Sequence, residues 1–143
     1  MKLTRFTDYS LRVLIYLGLK ANGRVTIREI SSAYDISRNH LMKVVSNLTR
    51  MGYLDARRGP GGGIALARPA AEINLADVIR DMEEDMDLVT CFSKDGKCVI
   101  KPVCLLRDAL TKALAAYITT LEGYSLQDLL EPRSKLTGML GIT

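Results

Sequence analysis

"TIREISSAYDISRNHLMKVVSNLTRMG", residues 26–52, decides the fold. Thr26 is followed three positions later by Glu29, the spacing of a capping box, in which each side chain satisfies a backbone amide that the first helical turn leaves free. Ile27, Ile30 and Ala33 then mark a short helix of about two turns. After Tyr34 and Asp35, Ser37 supplies an N-cap for a second helix that runs to Gly52, with Leu41, Val44, Val45 and Leu48 on its buried face. Arg38, Asn39, Lys43, Ser46, Asn47 and Arg50 fall mostly outside that face. A short helix, a tight turn and a longer helix predict a helix-turn-helix.

Downstream, "YLDARR" and "IALAR" have the composition of short strands, joined by the "GPGGG" of residues 59–63, where glycine permits backbone angles other residues avoid. A hairpin directly after such a helix is the wing of a winged helix. The glycine run is a poor phosphate loop, because it lacks the terminal Lys-Ser/Thr and no helix follows it directly. Upstream, Thr4 to about Ala21 carries Phe6, Tyr9, Leu11, Val13, Leu14, Tyr16 and Leu17 on a broad apolar stripe that ends at "ANG", which predicts a largely buried helix. Asp8 and Arg12 interrupt this stretch, so it does not have the form of a signal peptide. No segment offers the roughly 20 uninterrupted apolar residues of a membrane span. The expectation is a soluble, cytoplasmic protein without a membrane partner.

The 143 residues carry a net charge of +4 that conceals an asymmetry. Residues 1–70 hold 12 Lys and Arg against 4 Asp and Glu, and residues 71–143 hold 8 against 12. A basic first half and an acidic second half point to a polyanion facing the first half only. The beginning of a recognition helix points at base edges in the major groove. Here it is "SRNHLMK", offering Ser37, Arg38, Asn39, His40 and Lys43 to double-stranded DNA. Arg57, Arg58 and the turn around Gly61 would let the wing follow the phosphate backbone or enter the minor groove. The same side chains would also serve as ordinary solvated surface; capping, turn, wing and charge together favour DNA binding. His40 is the only histidine, so catalysis that needs a His pair is excluded.

Pro69 and the small residues after it mark a boundary, dividing the chain into a winged helix-turn-helix region, 1–70, and a second region, 71–143. Ile73 and Val78 staple a helix capped by Asn74 and running to about Met82, with Leu75, Val78, Ile79 and Met82 on its apolar side. Beyond Cys104, Leu106, Leu110, Leu114, Tyr117, Ile118 and Leu121 form the stripe of a long helix ending at Gly123. That stripe suits a dimer interface, and packing within its own chain is the alternative. "SLQDLLE" has the form of a short capped helix, and the final residues that of a frayed end. The fold class is thus mainly α with a small β-hairpin wing, a winged helix-turn-helix followed by a long dimerisation helix.

"CFSKDGKCVIKPVC", residues 91–104, contains all three cysteines. An odd count excludes a complete disulfide framework. The gaps are wider than zinc knuckles use, and no nearby histidine supplies a fourth ligand. Three thiolates on a loop containing Gly96 and Pro102 suit an iron–sulfur cluster, with one iron left for a different ligand. Packing positions, or a reversible disulfide with a spare thiol, are the other readings of the same cluster. A thiol-disulfide enzyme is disfavoured, since there is no Cys-x-x-Cys and no βαβ context.

Nearly the whole chain resembles the Rrf-type winged-helix repressors, and among them the nitric-oxide-sensing branch. The resemblance rests on "LTRFTDYSLRVLIYL", "SRNHLMKV", "RGPGGGIALARP", "LADVIRDME", the three-cysteine loop and "LEGYSLQDLL". It implies a homodimeric repressor, not an enzyme, that binds a palindromic operator and holds one iron–sulfur cluster per subunit through Cys91, Cys98 and Cys104. It also implies a fourth iron ligand from the partner subunit, matching Asp8 of "FTDY" here. A sister branch that regulates cluster assembly uses a histidine shortly after the last cysteine; this chain has Arg107 there. That departure favours the nitric-oxide branch and a 4Fe-4S over a 2Fe-2S cluster. A response to iron supply or oxidation is the alternative within the same family.

Overall fold

A computed structural model describes residues 1–20 and 22–143. The order of elements is α1 (Arg5–Leu19), α2 (Ile27–Tyr34), α3 (Arg38–Arg50), β1 (Leu54–Arg57), β2 (Gly63–Leu66), α4 (Leu75–Met82), α5 (Leu105–Glu122), α6 (Leu126–Leu129) and α7 (Arg133–Leu140). Three single 3-10 turns, Ala70–Glu72, Thr90–Phe92 and Lys101–Val103, fill the connections.

Local chemistry starts most of the helices. The Thr4 hydroxyl accepts from the Thr7 amide to cap α1. Thr26 and Glu29 form the expected capping box of α2, Ser37 caps α3 through the His40 amide, and Asn74 caps α4 through the Ala76 amide. Ser125 and Asp128 form a second capping box on α6. The sharp turn after α2 is made by Asp35 in the left-handed region, φ 53, the only non-glycine residue with positive φ among the described residues. Asp is one of the few side chains that tolerate this conformation. The Ser31 hydroxyl, donating to the Ile36 carbonyl at 2.6 Å, secures the turn. α1 ends at Leu19 with Lys20 as its cap; the expected extension to Ala21 lies outside the described residues.

The core gathers Val13, Leu14 and Leu17 of α1, Ile30 of α2, all four expected residues of α3, Tyr53, Leu54 and Ile64. It also draws on the second region: Ile73, Val78 and Met82 around α4, and Leu126 and Leu130 around α6, join the same cluster. On α4 the buried residues are Ala76, Val78, Ile79 and Met82, whereas Leu75 is only half-buried.

The frayed C-terminus expected from the sequence is corrected by the structure, which forms α7 there. The Arg133 guanidinium donates to the Gly18 and Leu19 carbonyls, acceptors that the end of α1 leaves without helical partners. Leu136 and Leu140 pack against the core. These contacts are tertiary, and nothing in the local pattern of residues 133–140 announces them.

Candidate nucleic-acid interface and cysteine loop

α3 presents a divided surface. Leu41, Val44, Val45 and Leu48 are no more than 6% exposed, which fixes the roll of the helix and leaves Arg38, Asn39, Lys43, Ser46 and Arg50 facing outward. Ser37 is exposed at the cap, and its hydroxyl accepts from the His40 amide at 3.4 Å. His40 stands at the border of this surface, exposed but tilted against Tyr9 of α1 with ring centroids 6.1 Å apart. The five expected residues of the helix start are therefore together on one exposed end of α3. A groove of about 840 Å³ is lined by Lys43, Ser46, Asn47 and Arg50 of α3 and by Asp81, Glu83 and Glu84.

β1 and β2 pair antiparallel, with Leu54 opposite Leu66 and Arg57 opposite Gly63. Val25 bridges the other edge of β2 by exchanging backbone hydrogen bonds with Ile64 at 2.9 and 2.7 Å. Gly63, at φ 124, lets the hairpin come close enough for this, since a Cβ there would press on the Val25 carbonyl. Arg24 locks the base of the wing: its guanidinium donates to the Asp55 carbonyl at 3.1 Å, the Gly63 carbonyl at 3.0 Å and the Asp55 carboxylate. The Arg24 hydrogen bond, helped by Arg57 at 3.3 Å, holds the Asp55 carboxyl below its ordinary pKa. Arg57, Arg58 and Gly61 all lie exposed on the wing. Arg24 was missed in the sequence because it stands in a connection, outside any periodic pattern.

The cysteines share one loop with three free thiols. Cys91 is half-buried in the turn Thr90–Phe92, Cys98 is exposed, and Cys104 is the N-cap of α5, its sulfur accepting from the Arg107 amide at 3.4 Å. Among the described residues no three His, Cys, Asp or Glu side chains are grouped closely enough to hold a metal ion. Asp8 sits in the first turn of α1, in an ion pair with Arg12 at 3.0 Å. Arg12 in turn lies 5.7 Å from the centre of the Tyr34 ring. Burial pushes the Tyr34 hydroxyl up to about 12, opposed by the Arg12 charge.

The donor set nevertheless fits a thiolate-held cluster. Thiolates are the ligands that iron–sulfur groups require. Arg107 stacks over Phe92 at 6.0 Å, and its Nε is buried without a hydrogen-bond partner. A buried donor without an acceptor, between the neighbour of Cys91 and the N-cap Cys104, suits an anionic group bearing acceptor sulfurs. Gly96 has no room for a side chain, because a Cβ would collide with the Thr90 carbonyl and the Cys91 backbone, so the loop folds tightly on itself.

The model of the Rrf2 family, described as an iron-dependent transcriptional regulator, matches residues 3–132. This chain belongs to the Rrf2 family. It is 45% identical to the HTH-type transcriptional regulator NsrR of Bacillus licheniformis, over 98% of this chain and 99% of that protein. A second NsrR, from Geobacillus kaustophilus, is 46% identical over 98% of this chain and 97% of its own. Among solved structures, CymR, the global cysteine regulator of B. subtilis, aligns with a TM-score of 0.73 at 25% identity, covering 90% of this chain and 95% of that one. The expected fold class and family stand, and this Rrf2 protein is a DNA-binding transcription regulator rather than an enzyme. Among the described residues no helix is long and apolar enough to cross a membrane.

Proposed function

We propose that this Rrf2 regulator is a cytoplasmic, homodimeric repressor that binds a palindromic operator and releases it when nitric oxide reaches an iron–sulfur cluster on the cysteine loop. Residues 1–70 form the winged helix-turn-helix region, and 71–143 the cluster-binding loop and dimerisation helix. Ser37, Arg38, Asn39, His40 and Lys43 face base edges, while Arg57, Arg58 and Gly61 follow the backbone. Cys91, Cys98 and Cys104 hold a 4Fe-4S cluster, and Asp8 of the partner subunit completes its ligands. When bound, the cluster supplies iron that reacts with nitric oxide.

The observation that carries this reading is the condition of the second region. Three free thiols stand on one loop beside an unpartnered buried Arg107 Nε, and the loop leads into a helix with no buried residue. Leu105 is 81% and Leu106 66% exposed in the single chain. A second copy laid along α5 would cover them and bring the partner's first helix within reach of the loop. For Asp8 to serve there, its carboxylate must leave Arg12, which ties the ligand to the α1–α2 surface through Tyr34. The resemblance to the nitric-oxide-sensing branch and the full-length similarity to regulators named NsrR support the choice of signal.

Response to iron supply is the second reading, favoured by the family's description as iron-dependent. Anaerobic reconstitution followed by nitric oxide titration separates the two. The first predicts a visible absorption band that bleaches stepwise as operator affinity falls. A band and an affinity both indifferent to nitric oxide, yet lost on chelation, would favour the second.

A further inference from the structure

α4 ends in three consecutive residues that each grip a different part of the DNA-binding region. Asp81 accepts the Tyr53 hydroxyl at 2.6 Å, immediately beyond the recognition helix. Tyr53 is 2% exposed, so this contact is rigidly placed. The sulfur of Met82, itself 4% exposed, accepts from the side-chain amide of Asn47 on α3 at 3.5 Å. Glu83 accepts from both the backbone amide of Thr4, at 2.8 Å, and its hydroxyl, at 3.1 Å. Thr4 is the N-cap of α1, the helix that carries Asp8.

Beyond Glu83 the chain leaves the helix and reaches Cys91 eight positions later. On its other side α4 is fastened to the end of α5, where Asn74 donates to the Glu122 carbonyl at 2.9 Å and Arg80 pairs with the Glu122 carboxylate. The entry of the cysteine loop is thus the Asp81–Glu83 segment itself, while α5, into which the loop leads, is fastened to α4 at its far end, Glu122. Successive helical residues point about 100° apart, so the end of α4 cannot turn or shift without disturbing contacts to Tyr53 and Asn47 together.

We propose that Asp81, Met82 and Glu83 are the joint that transmits the state of the cysteine loop to the recognition helix and to the start of α1. This rests on the proposed sensing function. The three are positioning residues and touch neither DNA nor the group on the loop. Tension on the loop moves the end of α4, and through Asn47, Tyr53 and Thr4 it changes the angle of α3 against α1. In a dimer that angle sets the spacing of the two recognition helices along the operator, to which affinity is sensitive.

The test compares operator affinity of the full-length protein with the reconstituted cluster and after its removal, in the native chain and in Asp81→Asn, Glu83→Gln and the volume-conserving Met82→Leu. The native protein should show a ratio within the usual range of allosteric coupling, about 5- to 150-fold. Each variant should pull that ratio towards one while its visible spectrum and its binding to random DNA stay unchanged. In the native chain the methyl resonance of Met82 should also shift on cluster removal, a readout independent of DNA. A large native ratio with equally large ratios in all three variants, or with a stationary Met82 methyl, would overturn the joint and leave the sensing function intact. A native ratio near one would overturn both. Met82→Leu retains the core packing, so a folding defect in either polar variant does not remove the test.

Discussion

α3 and α5 are both amphipathic helices opened by a side-chain cap, but only one is finished by its own chain. On α3 Leu41, Val44, Val45 and Leu48 are buried against the core, and Met42 stays exposed beside the outward polar positions. On α5, 18 residues long, no position is buried, and the cap is the sulfur of Cys104 in place of a hydroxyl. The difference separates a surface that is complete when the chain folds from one that the proposed dimer would complete. A hydrophobic stripe drives folding only where the same chain supplies something to cover it.

The widest contrast is between two leucines. Leu41→Ala should cost about 2–5 kcal/mol of folding stability through the cavity it leaves, measured by denaturant unfolding. Leu106→Ala should instead weaken self-association, with a dissociation constant raised in sedimentation and a melting midpoint that depends more steeply on concentration. Equal losses of stability at both sites, with no change in association, would break the comparison.

Next in size are the exposed residues of α3. Arg38→Ala and Asn39→Ala should each weaken operator binding by about 1–3 kcal/mol while affecting random DNA less. Equal losses on both DNAs in titrations at fixed salt would reassign them to phosphate contacts. Smaller still is the cap itself: Ser37→Ala should cost about 1 kcal/mol of stability, read by the same denaturant unfolding.

The smallest effect is a pH dependence at the start of α2. The Thr26 amide, bound to the Glu29 carboxylate, holds its pKa below the ordinary glutamate value despite some desolvation. A depressed carboxylate contributes stability that is present above its unfolded pKa and lost as pH falls through its folded one. The capping box should therefore weaken only in acid, below the ordinary glutamate range. Glu29→Gln should remove that part of the pH dependence of unfolding without changing the neutral-pH DNA footprint.

What the sequence makes legible follows the same division. Thr26 with Glu29, Ser37, Asn74 and the glycines of the wing act on neighbours a few positions away, so their roles can be read locally. Arg24 and Arg133 act across the fold, on Asp55 and Gly63 in one case and on Gly18 and Leu19 in the other. Their chemistry is visible only once those partners are in place. The exposed end of α3 was legible because burial of four apolar residues dictates which side remains outside. The cysteines were legible as a donor set by residue type, but the single chain does not converge them. In the proposed function their convergence would depend on a bound group and a second subunit, and neither is encoded as a local pattern.

The most direct test of an assembly-completed second region is non-denaturing mass spectrometry of the anaerobically reconstituted protein. The account predicts a dimer carrying one 4Fe-4S mass per subunit, and loss of that added mass in Cys98→Ala while the polypeptide remains folded. A monomer, or a dimer of bare polypeptide mass under conditions that reconstitute a control cluster protein, would contradict it.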